Sequence, residues 1–335
     1  MVKRSASVAL VTGATGFIGG HLAQQLLDQG WTVKVLARDP LKLGPSLRSM
    51  CEVIVADICD EGALRRAVRQ TDVVFHCAAN VSTWDRGDAY YAVNVLGVKN
   101  LLNAIVMENA ALLRLVHLST VDVYGFPVAP CNEQCTTSGS GFGYGETKLQ
   151  GESLVREYCE KYHIQYTILR PANVIGPGSQ FISRIGDGLK SGVMLTVDGG
   201  RTNAGMLYVG NLVDYLIWAA QAESSINKIY NVRDNYDVDW LTFIKRFRAS
   251  IEGRGVVINL PFAMADAIAY GMEAVYRRVA PSREPLLHRL LVRFFGRTCG
   301  HDAEKIRFES GYAGRVGFDE AMDRSVSWFL GRTPA

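Results

Sequence analysis

The residues best suited to chemistry in this chain are Tyr144-Gly145-Glu146-Thr147-Lys148, a tyrosine four positions ahead of a lysine. On a helix, positions i and i+4 share a face, so the phenol and the ammonium point into one site. A phenol near pKa 10 is a poor base at neutral pH, and a neighbouring ammonium lowers that value by favouring the phenolate. A tyrosine so placed exchanges a proton with a substrate hydroxyl or carbonyl, which contributes about 10²–10⁴-fold to a rate. The alternative is an ordinary amphipathic helix. Upstream, Ser119-Thr120 offers a hydroxyl that would hydrogen-bond a substrate oxygen as its charge changes.

A second cluster, Thr12-Gly13-Ala14-Thr15-Gly16-Phe17-Ile18-Gly19, places three glycines three residues apart. Gly13 permits a tight turn, Gly16 lets the backbone approach a pyrophosphate, and Gly19 lets helix and strand pack closely. The helix that follows offers free N–H groups and a positive dipole end to phosphates. The competing reading is a plain glycine-rich turn. The context favours a dinucleotide site, because the cluster directly follows an apolar run and opens a helical pattern.

The elements that must position these residues alternate. Residues 8–11 form a short apolar run that suits a strand buried on both faces. Residues 17–29 carry apolar positions at helical spacing until Gly30. Further strands are expected at 32–37, 51–56, 72–77, 112–118 and 165–169, with helices over 93–107 and 144–162. Strands separated by helices mean right-handed crossovers, so the fold class is α/β: a doubly wound parallel (Rossmann) sheet. After Pro171 the rhythm breaks and a smaller C-terminal substrate-binding region follows. The expected division is a cofactor domain over 1–175 with a returning segment 203–232, and a substrate or lid region over 176–202 and 233–335.

Several segments extend the pattern. Ser119-Thr120-Val121-Asp122-Val123-Tyr124-Gly125 is similar to the S-[ST]-x-x-V-Y-G segment of the extended short-chain dehydrogenase/reductase superfamily, the NAD-dependent epimerase/dehydratase family. Asn94-Val95-Leu96-Gly97-Val98-Lys99-Asn100 resembles its N-x-x-G-x-x-N helix, and the run from Leu169 to Gly178 resembles the segment that passes the nicotinamide. Tyr208-Val209-Gly210-Asn211 resembles its later Y-V-x-[DN] element. The ending around Lys305, Gly311 and Tyr312 brings the likeness nearest to the 3β-hydroxysteroid dehydrogenase and dihydroflavonol reductase branch.

The resemblance implies Tyr144, Lys148 and Thr120 as catalytic residues, with Ser119 as second candidate and Lys148 also holding the nicotinamide ribose. It implies a cofactor site formed by Gly13, Thr15, Gly16, Phe17, Ile18, Gly19, Asp57, Ile58, Ala78, Ala79, Asn94, Pro171, Asn173 and Val174. The acid that would bind ribose hydroxyls in NAD-type relatives is replaced by Ala37, and Arg38 stands beside the gap. A guanidinium pairs bidentately with phosphate, so NADP(H) is the expected cofactor, with NAD(H) the alternative if Asp39 fills the acidic role. The resemblance also implies a homodimer across helices 93–107 and 144–162; apolar Val98, Leu101, Leu154 and Val155 suit that contact and core packing equally.

Two features bear on substrate. Sugar-nucleotide enzymes of this family usually carry an arginine where this chain has Ala204, which weakens that reading. The stretch 260–279 is largely apolar, and 281–297 reads as a basic amphipathic helix with Arg289, Arg293 and Arg297 at four-residue spacing. It either closes an apolar pocket as a lid with a solvated arginine face or rests on an anionic membrane surface. The expected activity is therefore interconversion of a ketone and a secondary alcohol on an apolar steroid-, polyketide- or flavonoid-like molecule. A sugar-nucleotide epimerase or dehydratase is the alternative. A nucleotide-sensing module is disfavoured, since a sensor has no need of the Thr/Tyr/Lys set.

Composition agrees with an ordinary globular enzyme. The 335 residues suggest about two domains at roughly 150 residues each. Apolar residues make up 48% and charged residues 21%, with a net charge of +3. That excludes a disordered chain and gives no sign of a nucleic-acid partner. The total conceals a local excess, because residues 277–297 contain six Arg and one Glu. Seven cysteines without a C-x-x-C pair suggest neither a disulfide framework nor a metal site, and with no signal-peptide core a cytoplasmic location is expected.

Overall fold

A computed structural model describes residues 7–139 and 141–332 of the chain. Residues 1–6, with Lys3 and Arg4, and Ser140 lie outside the described residues, as do 333–335.

Seven strands form one parallel sheet: β1 (Val8–Thr12), β2 (Thr32–Ala37), β3 (Glu52–Val55), β4 (Val73–His76), β5 (Arg114–Leu118), β6 (Tyr166–Pro171) and, later in the chain, β10 (Lys228–Val232). Their spatial order is β10-β6-β5-β4-β1-β2-β3, so the order reverses between β1 and β4. Ligands of open parallel sheets bind in the crevice at the carboxyl ends of the strands at such a point. The sheet is covered on both faces, and successive β1 residues serve opposite sides. Ala9 and Val11 join the core with α1 (Phe17–Asp28), α8 (Val209–Gln221) and α12 (Glu304–Ser310). Leu10 joins the core with α3 (Glu61–Val68), α5 (Gly97–Glu108) and α6 (Gly143–Tyr162). Val98, Leu101 and Val155 are buried within this second core.

The segment 93–107 is not one regular helix. A π-helical turn occupies Ala92–Leu96 before α5 begins, and Asn94 sits inside it. Such bulges insert an extra residue and often mark functional positions.

A second body of structure is built from the short parallel pairs β7 (Asn173–Ile175) with β9 (Met206–Tyr208) and β8 (Val193–Val197) with β11 (Val256–Leu260). Around them lie α7 (Gln180–Ser191), α9 (Trp240–Ser250) and α13 (Phe318–Gly331), with Trp240, Phe243 and Phe247 buried at the centre. Helices α10 (Phe262–Val279) and α11 (Arg289–Gly296) form a hairpin on a small core of their own.

The hairpin corrects the expected helix over 281–297. Only Arg289–Gly296 is helical there, because Pro281 and Pro285 prevent an earlier start. The expected solvated arginine face is also absent from α11. Arg289 pairs with Glu273 at 2.9 Å and Arg293 with Asp266 at 3.2 Å, both on α10. Arg297 lies 3.7 Å from the Phe262 ring centre.

Candidate active site

The glycine cluster forms the turn between β1 and α1. Gly13 adopts φ +77°, and a Cβ there would stand 2.7 Å from the Ala78 amide. A Cβ on Gly19 would meet the Gly13 carbonyl oxygen at 2.3 Å. Neither position tolerates a side chain, so the α1 N-terminus is held tightly against β1 and the loop after β4. Gly16 caps α1 without a side-chain hydrogen bond, and the first turn carries no acid. Thr15 and Gly16 are exposed at this end, with Phe17 and Ile18 half-buried behind them. Free amides and no competing carboxylate suit a pyrophosphate. The residues present therefore fit a dinucleotide.

At the adenosine end, Arg38 follows β2 and its side chain is 76% exposed, 3.6 Å from Asp57. Asp39, the next residue, is engaged within the chain. Its carboxylate accepts from the Leu41 amide at 3.0 Å and caps a short helical turn. Ile58 is buried beneath Gly97.

On the other side of the crevice, Asn94 ties three segments together. Its Oδ1 accepts from the Asn80 amide at 2.8 Å, and its Nδ2 donates to the Asn80 carbonyl and to Thr147 Oγ1. This fixes the loop carrying Ala78 and Ala79 against α6, one residue from Lys148. Ala78 itself donates to Thr12 Oγ1 at 3.3 Å. Asn173, after Pro171 at the end of β6, is held by its side chain to the Ala204 carbonyl at 2.6 Å, with Val174 half-buried beside it.

Thr120, Tyr144 and Lys148 converge beyond the carboxyl end of β5. The Thr120 hydroxyl stands beside the Tyr144 phenol. Thr120 Oγ1 accepts from the Asp122 amide at 3.2 Å. Lys148 is buried and its Nζ donates to the Leu118 carbonyl at 2.5 Å. Ser119 points elsewhere: its hydroxyl donates to the buried carboxylate of Glu152 at 2.8 Å. Glu152 in turn pairs with Arg170, which reaches Tyr124 at 2.7 Å.

The electrostatics correct one sequence expectation. Burial pushes the Tyr144 phenol up, and Asp122 adds to that, while the Thr120 hydroxyl opposes it. Lys148 is not among the influences on Tyr144. Burial pulls its own pKa down to about 8, with Cys77 and Glu152 opposing. The Tyr144 phenol is therefore protonated at neutral pH. Asp122, whose carboxyl burial pushes up to about 6, lies close enough to influence both Tyr144 and Cys299.

Sequence reasoning missed Asp122, although it lies within the quoted segment. It also missed Cys299, whose thiol donates to the Phe294 carbonyl at 3.8 Å and lies close enough to Asn173 and Asp122 to feel both, and no sequence signal points to that placement. Trp84 was missed as well. Its indole donates to the Pro281 carbonyl at 3.0 Å, and the Arg277 guanidinium lies 3.8 Å from its ring centre. These contacts latch the α10–α11 hairpin onto the loop after β4.

A family model described as the NAD dependent epimerase/dehydratase family matches residues 9–232. Among curated proteins, the chain is 29% identical over 318 residues to the 4-hydroxy-2-methyl-3-oxo-4-farnesyl-3,4-dihydroquinoline-1-oxide ketoreductase of Stigmatella aurantiaca, covering 93% of this chain and 94% of that protein. It is 24% identical to the decarboxylating sterol-4-alpha-carboxylate 3-dehydrogenase of Mus musculus, covering 95% and 90%. Among solved structures, a UDP-glucose 4-epimerase of Thermotoga maritima superimposes with a TM-score of 0.75 at 21% identity, covering 96% of this chain and 98% of that one. The last likeness shows the fold. With two thirds of its length matched, the chain belongs to the NAD dependent epimerase/dehydratase family, among the extended short-chain dehydrogenases/reductases.

Proposed function

We propose that the protein is an NADP(H)-dependent oxidoreductase that interconverts a ketone and a secondary alcohol on an apolar steroid-, polyketide- or flavonoid-like molecule. The observation that carries this reading over a sugar nucleotide is the burial of Ala204, which is 0% exposed. Its neighbour Gly205 is sealed by the C-terminal segment, since a Cβ there would stand 2.2 Å from the Cys299 carbonyl oxygen. An arginine that grips a diphosphate has no counterpart at this place, and a diphosphate needs charge-assisted partners. A ketoreductase of a farnesyl-bearing quinoline and a sterol dehydrogenase among the relatives support an apolar substrate.

The bound cofactor supplies or accepts the hydride. The chain's own residues handle the oxygen. Tyr144 gives its phenolic proton to the substrate oxygen during reduction and takes it back during oxidation, while Thr120 orients that oxygen. Lys148 holds the ribose beside Tyr144. Asn94 keeps the loop of Ala78 and Ala79 in register with α6. Arg38 supports NADP(H), because it stands exposed beside the vacant acidic position while Asp39 is engaged as a cap.

The test is a turnover assay of the purified protein with apolar ketones and either NADPH or NADH. Net consumption of NADPH, preferred about tenfold over NADH, is expected from one charge-assisted phosphate contact. Retention of NAD through purification, with conversion of a UDP-sugar and no net cofactor consumption, would overturn the proposal in favour of an epimerase.

A further inference from the structure

Helix α10 carries its acids toward the protein and its apolar side chains toward solvent. Asp266 and Glu273, seven residues apart, turn inward to Arg293 and Arg289. Met264, Ile268, Val275 and Val279 recur at spacings of four, seven and four, so they share one face. They are 46%, 43%, 56% and 76% exposed. Exposed Ala267, Gly271 and Ala274 lie on the same arc. A helix on the surface of a soluble domain normally shows the reverse arrangement. A continuous apolar face left in water marks an interaction site.

The charge around this face selects the partner. No acid lies on the outward arc. At its C-terminal end stand Arg278 and Arg283, both exposed and, among the described residues, without a side-chain hydrogen bond or ion pair. They flank Val279 and Leu286, the latter 62% exposed. We propose that this face of α10, with Leu286, Arg278 and Arg283, docks in the interface of an anionic lipid membrane. Apolar side chains would enter the acyl boundary while the two guanidiniums meet phosphate headgroups. At 18 residues, α10 is about 27 Å long and lies in the membrane plane. It does not cross, since no described helix is long and apolar enough to do so.

The sequence placed the basic face on 281–297, whereas the structure puts Arg289, Arg293 and Arg297 inward and leaves α10 outward. The inner side of the same hairpin touches the loop after β4 through Trp84, so docking would set the lid of the cleft on the bilayer. The inference stands whichever substrate the site takes.

The test is co-sedimentation of the purified protein with vesicles of equimolar phosphatidylcholine and phosphatidylglycerol, and with phosphatidylcholine alone. Wild-type protein should bind the mixed vesicles, and about tenfold less to the neutral ones. Ile268→Glu with Val275→Glu should reduce binding by about tenfold or more at unchanged melting temperature and oligomeric state. Ile268→Ser alone, a milder change, should give a smaller loss of the same sign. Arg278→Glu with Arg283→Glu should abolish the preference for phosphatidylglycerol. Failure of the wild-type protein to bind mixed vesicles would overturn the proposal, as would undiminished binding by a folded variant. A shift of the variants from dimer to monomer without any vesicle binding would assign the face to a second copy of the chain instead.

Discussion

Ser119 and Thr120 are adjacent in the chain just beyond β5, yet their hydroxyls meet α6 two turns apart, at Glu152 and at Tyr144. Ser119 donates to Glu152 in a buried network with Arg170, Tyr124 and Asn231, whereas Thr120 meets the Tyr144 hydroxyl. Ser119 therefore supports the ground beneath the site and Thr120 faces it. Thr120→Ala should lower kcat by about 10²-fold, the scale of one donor to a developing charge, with little change in melting temperature. Ser119→Ala should do the opposite, costing about 1–3 kcal/mol of stability for a buried carboxylate left short of a partner. Paired kinetic and thermal measurements would contradict this if the two effects were exchanged.

Arg38 and Asp57 give the cofactor prediction. Arg38→Ala should raise the Kd for NADP(H) by about tenfold or more and leave that for NAD(H) nearly unchanged, since only the former offers a 2′-phosphate. Titration calorimetry with both cofactors reads the difference. Equal weakening of both would remove Arg38 from the specificity role.

The close approach of Gly19 to Gly13 makes the cradle sensitive to a single methyl. Gly19→Ala forces a contact 2.3 Å from a backbone oxygen, so the α1 N-terminus must shift. Cofactor affinity should fall by about 10²-fold or more if that N-terminus carries the pyrophosphate contact. Far-UV circular dichroism separates this from unfolding. A folded variant with intact affinity would place the phosphates elsewhere.

His76 and His117 stack in the core with ring centres 5.3 Å apart. Burial, with the Lys148 charge second, holds His76 down to about 3 and His117 well below the usual value. Both are neutral in the fold and take up protons on unfolding once the pH drops below about 6.5. Their contribution to stability is thus present above that pH and is lost as pH falls toward 3. Neither His117 nitrogen has a hydrogen-bond partner among the described residues. His117→Leu should therefore leave stability at neutral pH unchanged or raised. It should also remove up to about 1.4 kcal/mol per pH unit from the acid slope. Denaturant unfolding at several pH values checks both signs.

How much of this was legible in the sequence depended on what sets each feature. Strand β2 falls at the expected residues, because a largely apolar run buried within the sheet has sharp ends. The glycine cluster and the Tyr144–Lys148 spacing were equally legible, being fixed by local geometry. The π-turn at Asn94 was not, since apolar periodicity does not register one extra residue held by side-chain bonds to Asn80 and Thr147. The arginines of α11 were misassigned for a related reason. Leu286, Leu287, Leu290 and Leu291 allow either face to turn inward, and only the acids of α10, on another element, decide which one does. Tyr144 presents the same limit: its phenol answers to burial and Asp122 more than to the lysine one turn away.

The most direct measurement of the central claim compares Tyr144→Phe with wild-type protein for NADPH-dependent reduction of an apolar ketone that the wild-type protein accepts, with cofactor affinity measured alongside. Loss of the proton donor should lower kcat by about 10²–10⁴-fold while the Kd for NADPH stays within about twofold. Turnover at the wild-type rate by the folded variant would contradict the assignment of Tyr144 as the acid and base of the site.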